Sequence, residues 1–513
     1  MSAPRRYPTV VHMLLDAAGK APDREALVCG AERLDYAGYL RCVCGFAAEL
    51  ERIGVSGERV AFILGNSLDI CIAYFGAHMA RAQVVPLNPL YTAQELGPML
   101  GDAGPRVLIA DAANRARDEA LARELGIPVL IVIGEGPGER RLARPTDWPD
   151  TSIPTELPRG EELGTLQFTG GTTGRAKGAN ITHAATAINL VQREAVFPMR
   201  DDVERCLCVM PLFHCYASHM NLHAMAYHRG TLVILPRYHP AEVLEAFGRE
   251  RITLFGGSPT LFAGLMGFEG FEQADFSHLH LSSSGAAPLP AELLKRWETR
   301  TGTPIVEGFG QTEAGPVISF NPVDGVRKPG SVGLPIADTD IEIVDIADGM
   351  RVLGPGEKGE IRLRGPQLMQ GYRNRPAETA AALREGWLYT GDVGELDADG
   401  YLYITGRRKE MIIVSGYNVF PREIEEVLHQ HPAVADAAVV GRPDDYRGEL
   451  PVAFVATRAP VDAAELQAWC AARMARYKVP AEFRLLQALP KTAVGKLDKL
   501  RMGAMARETR PDT

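Results

Sequence analysis

The residues best suited to chemistry stand together in Thr169-Gly170-Gly171-Thr172-Thr173-Gly174-Arg175-Ala176-Lys177-Gly178. A short apolar lead, Leu166-Gln167-Phe168, reads as the end of a strand running into this stretch. Glycines let the backbone turn tightly and come close to a ligand. Thr169, Thr172 and Thr173 supply hydroxyls, and Arg175 and Lys177 supply positive charge. Backbone N–H groups in such a turn, with hydroxyls and a lysine beside them, suit a polyphosphate. The common P-loop is excluded, because it needs Gly-Lys-Ser/Thr in succession. Here Ala176 precedes Lys177, and Gly178-Ala179 follow it. A solvated linker would account for the Gly/Thr run but not for the lysine set just behind it.

Further segments carry candidate chemistry, each with a plain structural reading beside it. Pro211-Leu212-Phe213-His214-Cys215-Tyr216-Ala217 ends an apolar strand, where a lone histidine is ordinarily a core residue. Ser282-Ser283-Ser284-Gly285-Ala286-Ala287-Pro288-Leu289 is a tight helix entry, and its small residues also leave room for a flat ring. Glu307-Gly308-Phe309-Gly310-Gln311-Thr312-Glu313 ends in a Thr-Glu that would also cap a helix. Tyr389-Thr390-Gly391-Asp392 precedes Gly406-Arg407-Arg408-Lys409, a turn and a basic run if each is taken alone. Ser415-Gly416-Tyr417-Asn418 leads into Pro421-Arg422-Glu423-Ile424-Glu425, and Pro490-Lys491-Thr492-Ala493-Val494-Gly495-Lys496 sets a lysine on a turn.

In this order the segments resemble those of the adenylate-forming superfamily, which contains acyl-CoA synthetases, luciferases and peptide-synthetase adenylation domains. The resemblance covers essentially the whole chain. It implies that ATP or AMP is bound by Thr169, Gly170, Gly171, Thr172, Thr173 and Lys177 on the phosphate side, and by Gly285, Ala286, Ala287, Phe309, Gly310, Gln311 and Thr312 on the adenine side. Asp392 and Arg407 are implied at the ribose and phosphate. Thr169 and Glu313 are implied as Mg²⁺ ligands, hard oxygens for a hard cation. Lys496, Thr172, Glu313 and His214 are the implied catalytic residues, with Lys496 stabilising charge and His214 orienting a carboxylate. His214, Tyr216, Gly257, Gly285 and Gly310 are implied walls of an acyl pocket; Ser415, Gly416 and Tyr417 face CoA; Lys409 is the hinge. Two departures stand out. Ala176 replaces a usual proline, a loss of stiffness rather than of a reacting group. Phe309 replaces a usual tyrosine, keeping the stacking face and losing the hydroxyl.

These residues need a scaffold. At 513 residues the chain exceeds one compact core. Its 46% hydrophobic and 23% charged residues are ordinary for a globular protein. The net charge of −9 argues against nucleic acid as a partner. Cys42/Cys44 and Cys206/Cys208 lack metal or redox spacing and read as buried, reduced thiols of a cytoplasmic protein. No apolar run reaches the roughly 18 residues of a membrane span; Asn66, Asp69 and His78 interrupt the most apolar region. Peripheral membrane contact and homodimerisation stay open.

Strand-like runs at 59–64, 84–87, 107–110 and 129–133 alternate with helical patterns at 68–82 and 92–103, Thr92 and Glu95 standing in capping-box positions. Alternation of this kind predicts a mostly parallel sheet covered by helices. Residues 134–162 read as a surface connector, and short strands between 330 and 371 as a small β subdomain. The expected fold is therefore α/β: a large N-terminal domain, 1–408, of parallel-type sheets plus the β subdomain, then a small mobile α+β domain, 409–513. The expected function is ATP-dependent acid–CoA ligation, in which acyl-AMP forms and CoA displaces AMP. Asn88-Pro89-Leu90-Tyr91-Thr92 and Asn321-Pro322 resemble bacterial fatty-acyl-CoA ligases, which favours a medium- or long-chain fatty acid. Phe213-His214-Cys215-Tyr216-Ala217 resembles coumarate-CoA ligases equally, so an aryl or alicyclic acid is the alternative. A carrier-protein-loading adenylation enzyme comes third.

Overall fold

Runs such as Arg59–Ile63 and Val107–Asp111, apolar at nearly every position, have no polar face to offer water, and they are buried in a parallel sheet. The computed structural model describes residues 4–148, 152–169, 176–415, 417–444, 446–492 and 497–508. Contacts group the chain into one unit of Met1–Asp340 with Leu363–Leu388, and a second of Ile341–Arg362 with Tyr389–Thr513. About half of the expected β subdomain, residues 341–362, thus falls in the second unit, and its two ends in the first.

The first unit holds two sheets. One runs Gly371–Tyr372, Lys177–Thr182, Leu163–Thr169, Gln83–Pro86, Arg59–Ile63, Val107–Asp111, Val129–Ile133. Its pairings from Leu163–Thr169 to Val129–Ile133 are parallel, and the two at the Gly371 end are antiparallel. The other is nine-stranded, with Arg205–Cys208, Leu254–Gly257, Leu281–Ser284 and Ile305–Gly310 among its parallel strands. The capping box at Thr92 forms as the sequence predicts: Glu95 N–H donates to Thr92 Oγ1 at 3.3 Å and Thr92 N–H to the Glu95 carboxylate at 2.8 Å. The helix expected over 68–82 stops at Met79, and Arg81, at φ 59°, turns the chain into the next strand. None of the eight cysteines, all among the described residues, forms a disulfide, and Cys42, Cys44, Cys206 and Cys208 are buried.

The connector differs from its expectation. Leu142 is fully buried, and the Leu142 and Ala143 N–H groups donate to Asp69 Oδ1 at 2.5 and 3.1 Å. Arg141 Nε reaches Asp69 Oδ2 at 2.6 Å. A buried carboxylate must be matched by donors, and this part of the connector supplies them. Composition records the polar residues of a loop but not the buried acid they serve.

In the second unit, strands Val434–Asp444 and Gly448–Thr457 are buried on both faces with period two. Ala437, Val439, Ala453 and Val455 pack with Ile424, Leu428 and Leu466, while Ala438, Val440, Val452 and Phe454 meet Met502 and Ala506. Helices therefore cover this sheet on either side.

Among the buried histidines of the first unit are His78, His183, His219 and His223, with the His78 and His183 rings 4.9 Å apart. Burial holds all four below the usual imidazole range, His183 and His223 to about 3. Folded, they stay neutral; unfolded, each takes a proton near pH 6.5. Their contribution is intact above that pH and is lost as pH falls towards 3. The thermal midpoint of the first unit should fall steadily from pH 7 to 5, each histidine adding a slope of up to about 1.4 kcal/mol per pH unit. A flat profile would contradict the neutral cluster.

Candidate active site

The histidine segment is held from three directions by buried polar groups. Asn66 Nδ2 donates to the Met210 carbonyl at 3.0 Å and its Oδ1 accepts from Leu212 N–H at 2.8 Å. Tyr74 Oη donates to the Leu212 carbonyl at 3.0 Å, and Gln167 Nε2 to the Phe213 carbonyl at 3.2 Å. His214 Nδ1 accepts from Tyr216 N–H at 3.2 Å and so caps the short turn Cys215–Ala217. With Nδ1 accepting, the neutral ring carries its proton on Nε2. That geometry suits an orienting donor better than a general base.

Tyr216 Oη and Ser283 Oγ are 3.3 Å apart, and burial pushes the Tyr216 phenol up to about 12, so it stays neutral. A Cβ built on Gly285 would lie 3.7 Å from the Tyr216 ring. The strand glycine sharing this face is Gly256, whose Cβ would lie 3.5 Å from Tyr216 Oη; at Gly257 the nearest neighbour would be Leu261. Neighbouring strand residues point to opposite faces, which separates the two. After Ser284, Gly285 N–H donates to the Gly257 carbonyl at 3.2 Å, and Ala286 adopts a left-handed φ of 67°. That conformation is uncommon outside glycine, and it turns Ala286 and Ala287 to the surface.

Strand Ile305–Gly310 pairs antiparallel with Val317–Phe320. A Cβ at Gly308 would lie 2.4 Å from the Phe320 ring, and one at Gly310 would lie 2.2 Å from the Pro316 carbonyl oxygen. Gly310 is thus a glycine for close backbone packing. Between them Phe309, on the opposite face, is half-exposed, as a stacking surface must be. Gln311 N–H donates to the same Pro316 carbonyl at 2.9 Å. Thr312 Oγ1 stands 3.3 Å from Cys215 Sγ, which brings the segments of Phe309 and His214 together.

Thr169 ends one strand and Lys177 begins the next, and the two are direct antiparallel partners. Thr169 Oγ1 donates to the Lys177 carbonyl at 3.4 Å. Gly170, Gly171, Thr172 and Thr173 lie outside the described residues. Lys177 Nζ sits 4.5 Å above the centre of the Tyr372 ring, and Tyr372 Oη donates to Glu313 Oε1 at 2.8 Å. Sequence reasoning missed Tyr372, because a Gly-Tyr pair in a two-residue strand carries no periodic signal. Glu313 offers the hard carboxylate that Mg²⁺ prefers. Among the described residues no three His, Cys, Asp or Glu side chains converge on a metal-sized site.

In the second unit Asp392 and Arg407 are cross-strand partners, with Arg407 Nε 3.0 Å from Asp392 Oδ1. The carboxylate is buried and the guanidinium half-exposed. Lys409 is exposed on the turn Arg408–Glu410. Ser415 has a φ of 49°, and the exposed Tyr417 ring stacks on Tyr477 at 4.5 Å and 18°. Gly416 and Lys496 lie outside the described residues.

The model of the AMP-binding enzymes matches residues 14–373, and that of the AMP-binding enzyme C-terminal domain matches 423–496. The chain belongs to the AMP-binding enzyme family. It is similar to the long-chain-fatty-acid–CoA ligase of Bacillus subtilis, at 35% identity over 96% of this chain and 94% of that protein. It is 36% identical to a feruloyl-CoA synthase of Amycolatopsis, over 94% of this chain and 96% of that one. A crystal structure of an anthranilate CoA ligase in complex with anthranoyl-AMP superimposes with a TM-score of 0.90 at 28% identity, covering 98% of each chain. ATP-bound MatB from Rhodopseudomonas palustris gives 0.89 at 28% identity, over 97% of this chain and 99% of that one.

Gly310→Ala should weaken ATP binding about tenfold or more, because the hairpin must shift to admit the methyl group. Gly19→Ala, with nothing within 4 Å of its added Cβ, should stay within about twofold. Calorimetric titration with ATP checks both.

Proposed function

We propose that the protein activates a medium- or long-chain fatty acid with ATP and passes the acyl group to CoA, releasing AMP and pyrophosphate. The chain is an AMP-forming acid–CoA ligase. The observation that carries the fatty-acid reading is the 35% identity to the Bacillus subtilis long-chain-fatty-acid–CoA ligase over 96% of this chain. In the first step a carboxylate oxygen attacks the α-phosphorus of ATP, the bond to the β-phosphate breaks, and pyrophosphate leaves. In the second, the CoA sulfur attacks the acyl carbon, the carbon–oxygen bond breaks, and AMP leaves. No protein nucleophile is required, so positioning and fixed charge supply the catalysis.

The roles follow from the residues. Thr172, Lys177 and the glycines of the Thr169–Gly178 loop hold the β- and γ-phosphates. Phe309 stacks on adenine, with Gly285, Ala286 and Ala287 leaving room for it. Asp392 accepts from the ribose hydroxyls, and Arg407, its partner at 3.0 Å, holds the carboxylate oriented. His214 orients the substrate carboxylate through Nε2–H. Glu313 with Thr169 would hold Mg²⁺, which would supply charge neutralisation at the phosphates. Lys496 stabilises the charge that builds during adenylation, and Ser415, Gly416 and Tyr417 receive the pantetheine arm. A hinge at Lys409, dividing 1–408 from 409–513, serves the two steps in turn. The cytoplasm is the proposed location. Among the described residues no helix is long and apolar enough to cross a membrane.

One feature favours a second reading. The Tyr216 and Ser283 hydroxyls face each other beside the segment of His214. They offer hydrogen bonds that an alkyl chain does not use and an oxygenated aryl acid does. Pyrophosphate release should be measured with octanoate, palmitate, ferulate, benzoate and cyclohexanecarboxylate, with and without CoA. The fatty acids should give the highest kcat/KM, with sustained turnover only when CoA is present. Preference for ferulate would transfer the reading to aryl acids. Release without any added acid would contradict ligase activity.

A further inference from the structure

We propose that Tyr372 is a positioning residue that sets the metal-holding carboxylate of Glu313 and the phosphate-loop lysine, Lys177, relative to each other. The proposal rests on the assignment of Glu313 to Mg²⁺ made above. Tyr372 contacts both groups with different parts of one rigid side chain. Its hydroxyl donates to Glu313 Oε1 at 2.8 Å, and its ring face lies 4.5 Å beneath Lys177 Nζ. A hydrogen bond to a charged acceptor and a cation over an aromatic face are both directional. A ring with one torsion about its own axis cannot satisfy both while drifting.

The backbone around Tyr372 is fixed as firmly as the side chain. Gln370 N–H donates to the Asn180 carbonyl at 2.9 Å and Arg373 N–H to the Gly178 carbonyl at 2.8 Å, bonding the segment to the strand that Lys177 begins. Met369 N–H donates to the Glu313 carbonyl at 2.9 Å, tying the same segment to the turn that carries the carboxylate. Tyr372 N–H donates to Thr379 Oγ1 at 2.9 Å. Gly371 precedes it at φ 142°, where an added Cβ would lie 2.7 Å from Thr379 Cγ2. The stretch Met369–Arg373 is therefore a clip between the lysine strand and the carboxylate turn, and Tyr372 carries the clip into the site.

Five proteins separate the roles: the parent, Tyr372→Phe, Glu313→Gln, the double variant of these two and Tyr372→Leu, each titrated with ATP in excess Mg²⁺ and again in EDTA. Tyr372→Phe keeps the ring under Lys177 and deletes only the bond to Glu313. It should lose about tenfold in affinity with Mg²⁺ and change by less than about twofold in EDTA. In the Glu313→Gln background the same change should have no further effect, since the acceptor charge is already gone. Tyr372→Leu, which also removes the ring face, should weaken binding about threefold in EDTA as well. The EDTA arm and a thermal melt show that the variants fold. If Tyr372→Phe stays within twofold of the parent in both conditions, or loses affinity equally in both, the positioning role is overturned. If the parent binds ATP equally well with Mg²⁺ and with EDTA, the Glu313 assignment fails first.

Discussion

The constraint on which the rest of the structure depends is electrostatic. A carboxylate and a triphosphate, both anions, have to be brought into bonding contact by a protein whose own net charge is −9. Two unit charges 4 Å apart repel by about 1 kcal/mol in water and about 4 kcal/mol near a protein surface. The general field of the molecule does not help, so cations and oriented N–H groups must be gathered locally. On the roles proposed above, Lys177, Arg407 and Lys496 supply such cations and Glu313 the carboxylate for a metal; within the first unit, Lys177 lies over the Tyr372 ring, whose hydroxyl donates to Glu313. Each is valuable only where it is held, which shifts the burden onto neutral scaffolding.

Much of that scaffolding consists of buried polar side chains bonded to backbone. Asn66, Tyr74 and Gln167 fix Met210 to Phe213, and with them the approach to His214. Close backbone contacts do the same for Phe309, where Gly308 and Gly310 let the hairpin close on either side. The strained φ of Ala286 persists because Gly285 is bonded to Gly257 just before it. These devices hold neutral groups at fixed places without adding charge. The site therefore spends few ionisable residues on its own construction.

The alternating strands and helices were legible in the sequence because burial imposes a period, and the capping box at Thr92 because its two residues lie three apart. The order of the functional segments was legible because Gly-rich turns and charged residues are local. Long-range side-chain pairings were not. Tyr372 and Glu313 are 59 residues apart, and no spacing rule connects them. Asp69 read as a polar interruption in an apolar helix, whereas its meaning lies in the N–H groups of Leu142 and Ala143. Gly256 and Gly257 are indistinguishable in composition, and only the strand's direction of pleat shows which one shares a face with Tyr216. Periodicity finds elements; contact between distant elements decides which residues meet in the site.

The central claim is that the substrate carboxylate attacks the α-phosphorus of ATP and leaves its oxygen there. The direct measurement supplies a fatty acid labelled with ¹⁸O in its carboxyl group, together with ATP and CoA, and reads the products by mass spectrometry. Attack at the α-phosphorus followed by thiol displacement places one labelled oxygen in AMP and none in pyrophosphate. Label in pyrophosphate or in inorganic phosphate, or unlabelled AMP beside a formed thioester, would contradict it.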